Sequence, residues 1–331
     1  MSLMSALNAA VTGLRSTQIG MDVVAQNVAN ADSAGYTRRR MLPVATVMGD
    51  QASGVRAGMV ERTLDAVAQR QLRMETAGAA YTGLMAQYTN ELDRLFGPPG
   101  GASALDSTFN AFTQSLQTLA ANPSDYSART GALNTASLLA GRLNNLSETV
   151  QALRGETEGR ISAAVTCSKE LLTAIGEVNQ RIVSFSDQPP SAALLDERDR
   201  LIGELTRYMD VQVIPAQGNS VRLQTNAGLT LFDGAAVTRL SFDGRATMTP
   251  NSLYSTDPAQ STLGTITAIS LSGNRTDVVA NQMIRSGEIA AALELRDGLL
   301  VDAQRQLDQI AAEISSALSN VTRTGTNTSA A

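Results

Sequence analysis

Histidine and tryptophan are absent from this 331-residue chain, and cysteine occurs once, at Cys167. Without histidine there is no imidazole to ligate zinc or to serve as a general base for a serine or cysteine nucleophile. One cysteine excludes an intrachain disulfide framework, a property shared by proteins of reducing compartments and by proteins exported unfolded. Cys167 itself reads as a small core hydrophobe, with no second thiol to pair and no histidine to activate it. Aromatic residues are only 4% of the chain, so a core must rest on Leu, Ile, Val, Ala and Met. That composition suits long helices with slim apolar seams better than a compact enzyme.

Other absences narrow the function further. No run of about 18 apolar residues occurs, so no membrane span is expected. No basic stretch precedes an apolar core near the N-terminus, so a cleavable secretory signal is not expected either. The net charge of −5 arises from 26 basic and 31 acidic residues spread along the chain. The one basic run, Arg38 to Arg40, is too short for a nucleic-acid surface. There is no phosphate-cradling glycine loop followed by lysine and no dinucleotide fingerprint. A carboxylate-only active site would need one pair to stand out. Glu197 and Asp199 are two residues apart on a helix and point to different sides; surface pairing of Asp196 and Glu197 with Arg200 is the expectation. Catalytic, cofactor-binding and metal-binding residues are therefore none, and the chain reads as a non-enzyme.

What is present is helical periodicity. From Leu3, alternating steps of four and three reach Leu7, Ala10, Leu14, Thr17, Met21, Val24 and Val28, one narrow apolar seam over nearly four heptads. It stops in a cluster of small polar residues ending at Gly35. Nothing local is expected to bury this helix, so its partner must be distant in the chain or another copy. Residues 41–56 read as a linker or irregular extended segment. Helices are expected from about Val60 to Phe96, around Leu105–Leu119, from Tyr126 to Phe185, and from Ser191 to Leu205. Ser124 or Asp125 is placed to cap the third of these. That third helix carries the longest seam, Leu139, Leu143, Leu146, Val150, Leu153, Thr157, Arg160, Ala164, Cys167, Leu171, Ala174 and Val178. Pro189-Pro190 breaks it. From Met209 the period changes to two, with turns at Gly218, Gly228, Gly234 and Gly244, as in a small antiparallel β domain. The helical seam returns at Ser286 and runs through Leu293, Leu300, Ala303, Leu307, Ile310, Ile314, Ala317 and Val321.

Two motifs carry a family resemblance. The run from Asn27 through Val28, Ala29, Asn30, Ala31, Asp32, Ser33, Ala34, Gly35, Tyr36 and Thr37 to Arg38 resembles the N-terminal signature of bacterial flagellar axial proteins. Its ending, Gly35-Tyr36-Thr37-Arg38, is closer to the hook–filament junction members than to rod or hook proteins. The block Leu194-Leu195-Asp196-Glu197-Arg198-Asp199-Arg200-Leu201-Ile202, followed by Glu204 and Leu205, resembles the helix that those junction members place before their β domain.

The resemblance implies a mainly α fold with an inserted β domain, a long coiled-coil-like helical bundle plus a small antiparallel β domain. The expected parts are an axial assembly helix and turn (1–40), a helical bundle domain (41–208), an inserted β domain (209–285), a returning bundle helix (286–321) and a polar tail (322–331). The assembly interface is assigned to Leu3, Leu7, Leu14, Met21, Val24, Asn27, Val28, Asn30, Gly35, Tyr36 and Arg38. Implied partners are further copies in a ring-like layer, neighbouring hook and filament-side axial proteins, and an export chaperone, with no nucleic acid and no membrane span. The implied location is extracellular, in the flagellum. Family members continue into a C-terminal helix that pairs with the N-terminal one; none follows Val321, so the chain is expected to lack that partner. The rival readings are a rod or hook protein, and a secreted coiled-coil adhesin with the β domain as ligand head. An exposed apolar or aromatic patch on 209–284 would mark the adhesin.

Overall fold

The structure, a computed structural model, describes residues 3–33, 35–48, 51–101, 104–184, 191–257, 259–270 and 272–324. Its chain divides into two compact units: Met1–Ala79, Val165–Ser241 and Thr267–Gly287 form one; Ala80–Ala164, Phe242–Ile266 and Glu288–Ala331 form the other. The fold is mainly α with small antiparallel sheets.

The first unit opens with α1 (Leu3–Ala29) and a hairpin of β1 (Arg39–Met48) and β2 (Gln51–Arg62). This hairpin corrects the expected irregular segment at 41–56. The register shifts between Met41 and Pro43 and again between Thr46 and Val47, and such bulges break the period-two signal that would have revealed the strands. Helix α2 (Ala66–Phe96) starts later than expected, where Asp65 Oδ1 accepts from the amides of Val67 and Ala68 at 2.9 and 3.0 Å, an N-cap.

The rest of the first unit packs α5 (Ala192–Tyr208) and the last part of α4 (Tyr126–Ser184) with two three-stranded sheets. One sheet has the order β3 (Gln212–Pro215), β4 (Val221–Gln224), β5 (Thr230–Phe232). The other has β6 (Arg239–Phe242), β7 (Ile266–Ile269), β8 (Arg275–Asp277). Leu172, Ile175, Ile202, Leu205, Leu223, Leu231 and Phe232 are all buried. A buried asparagine ties helix to strands. Asn179 Nδ2 donates to Ser220 Oγ and the Gly234 carbonyl, each at 3.0 Å, and its Oδ1 accepts from Arg198 Nη1 at 2.9 Å.

The second unit contains the C-terminal half of α2, α3 (Leu105–Ala121), the first two-thirds of α4, α6 (Gly287–Glu294), a π-helical turn at Leu295–Leu299 and α7 (Leu300–Thr324). Asp125 is the cap of α4, its Oδ1 accepting from the Ser127 amide at 2.9 Å. Gln304 on α7 bridges Ser147 and Gln151 on α4 at 2.8–3.1 Å. A buried charged cluster holds the 242–266 loop. Arg296 pairs with Glu158 at 2.8 Å and with Asp297 at 2.7 Å. Glu158 also accepts from the Arg245 amide, and Arg154 donates to the carbonyls of Thr249 and Ser252.

The 59-residue α4 departs from its expected seam. Leu139, Leu146 and Val150 are buried as that seam requires, but the buried line then runs Arg154, Glu158, Ile161, Val165, Ser168, Leu172, Ile175, Asn179 and Ile182. Of the later seam residues, Thr157, Ala164 and Val178 are buried at the edge of this line, whereas Leu153, Arg160, Cys167, Leu171 and Ala174 are only half-buried. Steps of four from Leu146 to Val150, Arg154 and Glu158 rotate the stripe by about one residue, the geometry of a stutter. The charge of Arg154 and Glu158 hid the switch. Phe185, Pro189 and Pro190 lie outside the described residues, as does 325–331 of the expected polar tail; α7 itself continues past Val321 to Thr324.

Candidate assembly interface

Helix α1 has two faces of opposite character. Ala9, Gly13, Ser16, Gly20, Val23 and Asn27 recur at steps of four and three and are buried or half-buried, and α1 packs on β1 and β2. The expectation that nothing local covers the helix is thus corrected: the hairpin does. The small side chains let the strands approach closely. A Cβ placed on Gly54 would fall 2.6 Å from Thr12 Oγ1, and one on Gly20 would fall 3.4 Å from Met41 Cε.

The large apolar side chains take the other face. Leu7, Leu14, Met21, Val24 and Val28 are 59–74% exposed, with Met4 beside them at 71%. Leaving side chains of this size in water forgoes about 1.5–3 kcal/mol of burial each. A helix normally turns such residues toward the core; here the core-facing stripe is the one with little to bury. The side chain of Leu3 lies outside the described residues.

The turn residues of the assigned interface are engaged within the chain. Asn27 Nδ2 donates to the Arg39 carbonyl at 2.8 Å, while its Oδ1 accepts from the Arg39 amide at 2.9 Å and from Tyr36 Oη at 3.0 Å. The Arg39 guanidinium stacks over the Tyr36 ring at 4.9 Å. Asn30 Nδ2 donates back to the Gln26 carbonyl at 2.9 Å, and the Arg38 carbonyl accepts from the Thr63 amide at 2.8 Å. Gly35 has φ +82°, and a Cβ there would lie 3.1 Å from Arg200 Cβ. Asn27, Asn30, Gly35 and Tyr36 therefore build the α1–β1 turn, while the Arg38 side chain stays exposed.

Five charged residues that sequence reasoning did not assemble meet beside this turn. Arg39 Nη2 pairs with Asp196 Oδ2 at 3.0 Å and Arg62 Nε approaches Asp196 Oδ1 at 2.9 Å. Arg62 Nη2 also pairs with Asp199, which in turn pairs with Arg73 at 3.2 Å. Burial pulls Arg73 below the usual guanidinium value, against the opposing pull of Asp199. The expected Asp196–Arg200 pair does not form. Arg200 instead pairs with Glu197 at 2.7 Å and with Glu204. Asp196 and Asp199 face the hairpin and α2, not water. The helical spacing gave which side chains share a face but not which distant arginines fill it.

One cavity of the second unit is lined mainly by apolar side chains. Its volume of about 740 Å³ is bounded by Phe96, Phe109, Phe112, Leu139, Ile310 and Ile314, with Asp106 and Glu313 as its ionisable residues. Among the described residues no helix is long and apolar enough to cross a membrane.

The family described as "Flagellar hook-associated protein FlgK helical domain" matches residues 89–330. The chain belongs to this FlgK family. A second family, "Flagella basal body rod protein", matches residues 7–37, which take in most of α1 and its turn. Flagellar hook-associated protein 1 of Salmonella typhimurium is 27% identical over 320 residues, covering 93% of this chain and 54% of that protein. The Bacillus subtilis protein of the same name is 28% identical over 222 residues, 62% of this chain and 43% of its own length. The chain thus spans about half the length of the curated relatives it matches. Its fold is similar to the flagellar hook junction protein FlgK from Burkholderia pseudomallei, with a TM-score of 0.58 at 24% identity over 74% of this chain and 41% of that one.

Proposed function

We propose that the chain is a structural, self-assembling FlgK subunit of the bacterial flagellum that joins hook to filament, and that it catalyses no reaction. The observation that carries this is α1: a helix braced on its small face by the β1–β2 hairpin, holding a line of large apolar side chains out to solvent. Such a stripe is a contact surface for other helices. In this reading copies of the chain form a ring-like layer, hook and filament-side axial proteins lie on either side, and an export chaperone covers the stripe before assembly. Export proceeds without a cleavable signal, and the working location is outside the cell.

The adhesin reading loses its criterion. Among the described residues of 209–284, Leu253 is the one large hydrophobic that is exposed, at 40%. A rod or hook protein is disfavoured because the FlgK family match takes in the Leu194–Leu205 block. The test is genetic. Cells lacking the gene should carry hooks without filaments and shed flagellin, and the restored gene with an epitope tag should label the distal end of the hook. Normal filaments in the deleted strain would refute the proposal.

A further inference from the structure

The alternating line Arg39–Asp196–Arg62–Asp199–Arg73 joins two parts of the first unit that otherwise meet where Gly35 lies against Arg200 and where β2 passes α5. On one side is an arm, α1 with the β1–β2 hairpin, whose elements pack extensively on one another. On the other side are α5 and the start of α2. The five side chains are 10–16% exposed. Beside them the arm is not wedged by apolar packing. A cleft of about 440 Å³ remains open, walled by Ile19, Val23 and Gln26 of α1, Met59 of β2, and Ser191 and Ala192 at the start of α5. A joint made of ion pairs next to an unfilled cleft has one well-determined seating while the pairs are intact. Without them, little shape complementarity remains to select it.

We infer that Asp196 and Asp199 are the joint that sets the direction in which the α1–hairpin arm is held, so that the apolar stripe of α1 is aimed by ion pairs. This deepens the assembly reading and rests on it. Both aspartates face more than one cation, so neutralising them removes both carboxylates that pair with Arg39, Arg62 and Arg73. The arm then detaches from α5 while α1 stays on its hairpin, because neither aspartate belongs to the small-residue packing between those two.

The experiment is a pulsed electron–electron distance measurement. Spin labels are placed at the exposed positions Gln18 on α1 and Arg207 on α5, with Cys167 replaced by serine. The parent should give one narrow distance distribution. Asp196→Asn with Asp199→Asn should broaden it at least about twofold, with the helical circular dichroism unchanged. Arg62→Met, which removes the central link, should broaden it as well. A distribution as narrow as the parent's in these variants overturns the inference. So does loss of the helical signal in both the double variant and Asp199→Asn alone, since the node would then belong to the folding core. Failure of the assembly reading shows separately: incorporation into flagella would survive Leu14→Asp with Met21→Asp, whatever the distance distribution does.

Discussion

Gly35 and Arg200 touch across the two motifs that the sequence made conspicuous. The backbone of Gly35 has φ +82°, and its Cα faces the aliphatic stem of Arg200, which leaves only 3.1 Å for a Cβ. Two constraints therefore fall on one residue: a left-handed backbone and a close neighbour. Gly35→Ala should destabilise the first unit by about 1–2 kcal/mol from the backbone alone, and Gly35→Val by more. Urea denaturation followed by circular dichroism checks this; an unchanged midpoint for both would show that the turn relaxes freely.

Asn27 fastens the end of α1 to β1 by three hydrogen bonds. At a net ~0.5–1.5 kcal/mol for each bond, Asn27→Ala should cost about 2 kcal/mol locally. The Arg39 amide, protected in the parent, should exchange roughly 30-fold faster. Asn27→Asp keeps the acceptor oxygen but loses the donor to the Arg39 carbonyl, so its effect should be intermediate. Hydrogen exchange read at residue level separates the three proteins.

Much of this architecture was legible, for a physical reason. Long helices with sustained apolar periodicity, such as Tyr126–Ser184, and the stops at Gly97 and Asn122 declare themselves through period and punctuation. The turn glycines of the β region do so as well. The hairpin was not legible, because Pro43, Gly54 and two bulges erase strand alternation. The stutter in α4 was hidden because its inward residues are Arg154 and Glu158, which look like surface. The stripe on α1 was read correctly as apolar, but that its opposite face of Ala, Gly and Ser would be the packed one is a tertiary fact. Likewise Asp196 and Asp199 looked like partners for their own helix; the arginines that pair with them come from 126 or more positions away.

The strands after Met209 are expected from sequence to form a separable domain, whose removal leaves the helices folded. The structure predicts the opposite. Asn179 and Arg198 spend their hydrogen bonds on Ser220, Gly234 and Asn219. A Cβ on Gly176 would lie 3.3 Å from Val237 and 3.7 Å from Phe232. Deleting residues 209–284 should therefore expose Leu172, Ile175, Ile202 and Leu205, reduce the helical signal and abolish the cooperative melt. An undiminished, cooperative melt would show that the helices hold their own core.

Burial, reinforced by the neighbouring Glu156 carboxylate, pushes the Tyr88 phenol up to about 12 from its usual 10. The folded state thus favours the neutral phenol. Its contribution to stability is complete below pH 10 and is lost as pH rises from 10 through 12. Absorbance at 295 nm should show one tyrosine ionising about two units late, and that step should vanish in Tyr88→Phe. The phenylalanine variant should also lose less stability between pH 10 and 12 than the parent. A late step that persists without Tyr88 would assign it to another tyrosine.

The most direct test of the central claim places Leu14→Asp and Met21→Asp in the protein as the bacterium makes it. Both side chains lie on the solvent face of α1, so the purified variant should melt within about 0.5 kcal/mol of the parent. In the cell, the same tagged variant should be exported yet give no label at the hook tip and no filament. Label and filaments at parental levels would contradict the assignment of the stripe as the assembly surface, and so would a variant that unfolds before it can assemble.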